Sequence, residues 1–164
     1  MKRRIFLDTN IIIDYLSGRI PFGEAAMRIF SLSTQYNQLC ISALSFTTIY
    51  YVLRRYFEHH ILLEKLNDLQ LLVEVLPTDN RIISASIHSN FKDFEDGVQY
   101  YTALAGNASI IITRNPKDFA NSVIPVYTPT EFLEIPFWMD DSDTSVVNEP
   151  EVVYKPKKPK IKTD

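Results

Sequence analysis

Arg4-Ile5-Phe6-Leu7-Asp8-Thr9-Asn10-Ile11-Ile12-Ile13-Asp14-Tyr15-Leu16 decides the reading of this chain, because an apolar run stops at a carboxylate and an amide and helical spacing starts directly behind them. A strand that passes at once into a helix is the opening unit of a parallel α/β sheet. Ligands of such sheets gather outside the carboxyl ends of the strands, so Asp8 stands where a site forms. Asp8 or Thr9 serves equally well as a helix cap, a role these residue types fill routinely. On its own the stretch leaves the two readings level.

Two later segments separate them. Asp93-Phe94-Glu95-Asp96 opens the helical run from Gly97 to Ala105, and the apolar stretch from Ser109 to Thr113 then ends in Arg114-Asn115-Pro116-Lys117-Asp118-Phe119. Two strand ends and one helix start thus each carry an Asp, at places that a parallel α/β fold brings together. Like charges gathered in one crevice repel. They either raise their pKa values or bind a cation that prefers hard oxygen ligands, such as magnesium or manganese.

The segments LDTNIIIDYL, DFEDGVQYYTAL and IITRNPKDF, in this order and at this separation, resemble the PIN domain, which is found in metal-dependent ribonucleases and in the VapC-type toxins of bacterial toxin–antitoxin pairs. The resemblance runs over residues 4 to 134. It implies a doubly wound α/β/α domain with one central parallel sheet, and acids at its carboxyl edge that hold one or two Mg2+ or Mn2+ ions. Asp8 matches the first acid of that set and Asp96 the acid at the start of the later helix. The segment from Thr113 to Asp118 matches the last motif. The resemblance therefore makes Asp8, Asp96 and Asp118 the catalytic and metal-holding residues, with Asn10, Thr48, Asp93, Thr113 and Asn115 in support and Arg114 and Lys117 toward substrate. It also implies an RNA substrate, an antitoxin protein as partner and a homodimer.

The chain departs from the family pattern twice. On the helix from Ser42 to Arg55, Thr48 stands where the family carries a Glu, and a hydroxyl does not replace that charge. In the last motif Asn115 stands where an acid is usual, leaving Asp118 as the nearest carboxylate. Asp93 and Glu95 flank Asp96 and are equally at home as anions at the positive end of a helix dipole.

Along the rest of the chain, Ile11 to Leu16 reads as a short helix stopped by Ser17-Gly18, and helical spacing resumes from Pro21 or Phe22 to Gln35. Leu39 to Ile41 reads as a buried strand, with Ser42 capping the helix behind it. Glu58 to Leu72 shows a helical stripe, Val73 to Leu76 a strand, and Thr78 or Asp79 caps a helix to His88. Ile124 to Tyr127 reads as an edge strand, and Thr128 to Leu133 as a last helix with Pro129 at its start. The folded domain is expected over residues 1–135. From residue 136 the chain turns to Pro, Lys and Asp, which bury too little apolar surface to offset their ordering entropy, so residues 136–164 read as a disordered tail. Phe137-Trp138-Met139 is the exception and needs a covering surface.

A chain of 164 residues holds one domain and its core, and 46% hydrophobic with 23% charged residues is an ordinary globular balance. The formal net charge of −3 argues against nonspecific coating of nucleic acid, which draws on Lys and Arg, but leaves room for a nuclease with a local basic patch. Arg54 and Arg55 suit such a patch and also suit a solvated helix end. The single Cys40 forms no internal disulfide and reads as a buried, inert thiol. No secretory or membrane-spanning pattern is present, which places the expected protein in the cytoplasm. His59, His60 and His88 lack partners at zinc-ligand spacing, and 4 Gly supply no phosphate loop. The pairs Tyr50-Tyr51 and Tyr100-Tyr101 suit base stacking, although one member of each faces a core.

Three functions fit the pattern to different degrees. The leading one is a metal-dependent endoribonuclease; the second is a noncatalytic RNA- or protein-binding module, favoured by Thr48. Phosphatase chemistry through Asp8 is the weakest, since Asn10 stands where that design places a proton-donating carboxylate.

Overall fold

The computed structural model describes residues 2–33 and 37–135. The tail beyond, with Phe137 to Met139, lies outside the described residues. Five strands, β1 (Arg3–Leu7), β2 (Asn37–Ser42), β3 (Glu74–Leu76), β4 (Ile110–Ile112) and β5 (Val126–Tyr127), form one sheet in the order β3-β2-β1-β4-β5. Every pairing is parallel. The helices are α1 (Thr9–Ser17), α2 (Gly23–Phe30), α3 (Ser45–Leu53), α4 (His59–Leu72), α5 (Asn80–Ile87), α6 (Phe94–Ala105) and α7 (Pro129–Glu134), with a 3-10 helix over Pro116–Phe119. This is the expected three-layer α/β/α domain.

Strand alternation builds the layers. Ile5, Leu7, Leu39, Ile41, Ile110 and Ile112 share one core with Ile11, Ile29, Ile49, Leu62 and Phe132, so α1 to α4 and α7 cover that face. Phe6, Cys40 and Ile111, one residue out of phase, share the other with Tyr100 and Ala103 of α6, Phe119 and Ile124. Successive side chains of a strand point to opposite faces, and these strands, buried on both, are accordingly continuous apolar runs. The chain winds from β1 out to β3, then crosses back over β1 to β4. That reversal puts the topological switch point between β1 and β4, where a crevice opens at their carboxyl ends.

Local chemistry sets most boundaries. Gly18 ends α1 in the left-handed conformation at φ 62°, which glycine adopts without a Cβ penalty. Asp79 caps α5 by accepting from the Arg81 and Ile82 amides, and Thr128 with Glu131 forms a capping box on α7. The helix expected to reach Gln35 is shorter, ending at Phe30. Ser42 does not cap α3. It is the last residue of β2, paired in register with Leu76, and its hydroxyl meets Thr78 Oγ1 at 2.9 Å and accepts from the Leu44 amide. Pairing with β3 claims it for the sheet, and α3 begins three residues later.

At the opposite edge of the sheet, Arg4 forks onto Glu74 at 2.7 and 3.1 Å and donates to the Gly106 carbonyl, tying β1, β3 and the end of α6. Cys40 lies beneath this pair, fully buried, with Sγ 3.8 Å from Glu74 Oε2. Burial and the Glu74 charge push its thiol up to about 12, as an inert core cysteine requires.

Candidate active site

Asp8 follows the last residue of β1, where its amide donates to the Ile112 carbonyl and so belongs to the ladder with β4. It occupies the N-cap position of α1 yet makes no side-chain cap bond. Its Oδ2 instead accepts from Asn10 Nδ2 and from Thr113 Oγ1, both at 2.6 Å. Asn10 also donates to Thr113 Oγ1 and accepts from the Arg114 amide at 3.2 Å, while the Asn115 amide donates to Thr113 Oγ1. The ends of β1 and β4 are thus laced together around one carboxylate that is only 6% exposed.

Burial is the largest influence on Asp8 and raises its pKa to about 6, against the lowering effect of the Thr113 hydroxyl. Replacing Thr113 by Val removes that donor. The Asp8 pKa is expected to move above about 6, and the fold to lose about 1–3 kcal/mol, the usual cost of a lost bond to a charged group. Carbon-detected NMR titration of the carboxyl reads the first and chemical denaturation the second. An unchanged titration would remove Thr113 from this role.

Asp96 stands in the first turn of α6, and its carboxyl is raised to about 7, first by burial and then by the charges of Asp8, Asp93, Asp118 and Glu95. Five acids therefore sense one another across a single cleft of about 810 Å³, which all of them line. Asp93 caps α6, accepting from the Glu95 amide at 2.7 Å. This helix starts at Phe94, within the acidic segment expected to open it.

The 3-10 helix explains how Asp118 reaches the site. The Asp118 amide donates to the Asn115 carbonyl across the turn. Asn115 itself precedes the helix, at φ −121° and ψ 69°, and both residues line the cleft. Thr48 and Lys117 also line the cleft.

Arg114 does not line the cleft. Its Nε lies 3.2 Å from Oδ2 of the buried Asp14, without hydrogen-bond alignment, and its guanidinium covers the Phe22 ring at 4.9 Å. Burial holds the Asp14 carboxyl above its ordinary pKa despite Arg114 and Arg19. A buried carboxylate left alone is costly, and pairing draws the arginine inward from the substrate side. Sequence reading did not single out Asp14.

It also missed a buried polar knot beneath the acids. Gln99 Nε2 donates to Thr9 Oγ1 at 2.6 Å and to Ser45 Oγ at 3.1 Å, and the two hydroxyls meet at 3.0 Å. These residues belong to α6, α1 and α3, the helices that begin at or carry Asp96, Asp8 and Thr48. One signal was available, since Gln99 falls one turn after Asp96 among otherwise apolar positions.

The donor set suits a divalent cation in its chemistry. Among the described residues the ion pairs Arg4–Glu74, Glu58–His60, Asp79–Arg81 and Asp14–Arg114 involve none of the cleft carboxylates. Nor do three His, Cys, Asp or Glu side chains there converge on one coordination sphere. Magnesium fits that arrangement, being held commonly by one or two carboxylates with water and substrate phosphate in its other positions. The carboxylates the cleft presents are Asp8, Asp93, Glu95, Asp96 and Asp118.

Comparison with known proteins agrees with this layout. A PIN domain model matches residues 4–117. Ribonuclease VapC1 of Aquifex aeolicus (strain VF5) is 30% identical over 141 residues, which cover 81% of this chain and 95% of that protein. DNA-bound VapBC from Salmonella typhimurium matches with a TM-score of 0.62 at 19% identity, over 79% of this chain and 99% of that one. VapC20 of Mycobacterium tuberculosis, described as a sarcin-ricin loop cleaving toxin, matches with a TM-score of 0.60 at 12% identity, over 71% and 94%. At those identities the solved structures speak for the fold. The family match begins in β1, ahead of Asp8, and ends at Lys117, and with a relative 30% identical across most of both chains, this chain belongs to the PIN domain family.

Proposed function

We propose that this protein is a metal-dependent endoribonuclease, the toxin of a toxin–antitoxin pair, working in the cytoplasm on RNA, restrained by an antitoxin protein and assembled as a homodimer. The observation that carries the reading is the pair Asp8 and Asp96, raised to about 6 and about 7 in one cleft at the switch point of the sheet. A relative named as a ribonuclease and fold neighbours solved as toxin–antitoxin complexes support it. No helix among the described residues is long and apolar enough to cross a membrane.

Asp8 and Asp96 would hold a magnesium or manganese ion, with Asp118 at the rim. When bound, the ion offsets phosphate charge and makes a water more acidic for in-line attack. The protein's own part is orientation. Asn10 and Thr113 fix the Asp8 carboxylate by two short donated bonds, and Asp118, on the 3-10 turn, lines the same cleft. Lys117 supplies a positive charge for the RNA backbone. Expected products, by family likeness, end in a 5′-phosphate and a 3′-hydroxyl.

Thr48 in the cleft favours a second reading, an RNA- or protein-binding module without catalysis. One substitution separates the two. Thr48→Glu restores a carboxylate and is expected to tighten magnesium or manganese binding on the order of tenfold and to speed cleavage of single-stranded RNA. Calorimetric titration and product analysis read the two effects. If the unaltered protein cuts no RNA with either metal and Thr48→Glu changes neither binding nor cleavage, the binding module replaces the nuclease.

A further inference from the structure

One wall of the cleft is not used by the acids. Asn90-Phe91-Lys92 joins α5 to α6 and lines the cleft together with Lys117 and Asn121. Phe91 is the one aromatic residue among those lining the cleft. It is half-buried, with ring-centroid contacts to Tyr100 at 5.2 Å, Tyr101 at 6.3 Å and Phe119 at 6.1 Å. Those neighbours sit on α6 and the 3-10 helix, the elements that carry Asp96 and Asp118. The Phe91 amide donates to Ser89 Oγ, which itself donates to the Ser86 carbonyl. The ring is thus held in place relative to the acids before any ligand arrives.

We propose that Phe91 is a stacking platform for an unpaired RNA base in this cleft. The proposal rests on the reading of the cleft as an RNA-cleaving site. Aromatic side chains stack on the faces of unpaired bases with little regard to sequence, whereas bases inside an A-form helix are already stacked and present only their edges. The surroundings match such a ligand: Lys92 and Lys117 are exposed cations for flanking phosphates, and Asn90 and Asn121 are exposed amides that can donate to and accept from a base edge. A platform braced by α6 fixes the base, and with it the phosphate that lies over Asp8 and Asp96. Phe91 binds substrate and takes no part in bond breaking, so its loss falls on KM.

The test uses the full chain with Phe91→Leu, which keeps an apolar packing group and removes the ring, and Phe91→Trp, which keeps a stacking face. Phe91→Leu is expected to raise KM for single-stranded RNA about tenfold at unchanged kcat, and Phe91→Trp to restore it. A single-stranded RNA carrying 2-aminopurine, bound in EDTA so that it is not cut, should be quenched by the unaltered protein and by Phe91→Trp but not by Phe91→Leu. Its duplex, dim already through base stacking, should show no further change on binding. Unchanged KM with Phe91→Leu would overturn the platform while leaving the nuclease standing. Absence of cleavage with intact quenching would sink the nuclease and keep the platform. No quenching by the unaltered protein, or equal quenching of the duplex, overturns the platform without recourse to any variant.

Discussion

Freed of divalent cations, the protein is expected to melt at a lower temperature at pH 8 than at pH 5, and added magnesium or manganese to recover much of the difference at pH 8 alone. Asp8 and Asp96 have folded pKa values of about 6 and about 7 against an ordinary 3.8. Between the ordinary and the folded value, the folded chain holds protons that the unfolded chain has released. Stability therefore falls as pH climbs from near 4 through the folded values, and the loss is complete above about 7. For the buried Asp8 the full shift corresponds to something on the order of 3 kcal/mol, of which a little under half is lost between pH 5 and pH 8. Asp96 is more open to solvent and adds less. Asp14, also raised, acts in the same direction, whereas the lowered Asp79 and Glu131 act on the acid side of this window. A melting shift of roughly 5–10 °C is expected for a domain of this size. A flat profile from pH 5 to pH 8, or divalent cations that stabilise equally at both, would show that the acids carry no such strain.

Asp8→Asn separates catalysis from stability. The amide oxygen can still accept from Asn10 and Thr113, so the bonds that lace β1 to β4 survive while the buried charge is gone. Removal of a principal ligand forfeits several kcal/mol of charge stabilisation in the transition state, so kcat/KM should fall at least about 100-fold. At pH 8 without metal the same variant should melt above the unaltered protein and lose most of the cation response. Functional carboxylates commonly cost their fold stability in this way. A variant that stays active, or one that melts lower at pH 8, contradicts the role given to Asp8.

Asp8 and Asp96 were readable in the sequence because the strand-to-helix junction and the acidic helix start are local patterns, and both acids do line one cleft. The PIN resemblance and the three-layer fold were readable for the same reason, since three local motifs in order imply one topology. What escaped depends on contacts across the fold. Ser42 has the right chemistry for a cap, but register pairing with Leu76 assigns it to β2. Arg114 follows β4 at the place of a substrate arginine, but a buried Asp14 on α1 attracts it, and Asp14 lies in a run of isoleucines that gives no hint of a charge partner 100 residues on. Asp118 stands three residues beyond the usual acid, and the 3-10 turn over Pro116–Phe119 leaves it among the residues that line the cleft. Gln99 and Phe91 were passed over because an amide on an apolar face and a loop phenylalanine look like exceptions until their partners are seen.

Cys40 gives the sheet a built-in clock. It lies on β2 with β1 on one side and β3 on the other, opposite Glu74 in register and under the fork from Arg4. A thiol raised to about 12 and sealed from solvent is almost never a thiolate in the folded chain. An alkylating reagent therefore reaches it only in molecules where the cover of that face, α6 with Phe119 and Leu76 of β3, has opened, and because the sequence has no second cysteine, each modified molecule records one such opening.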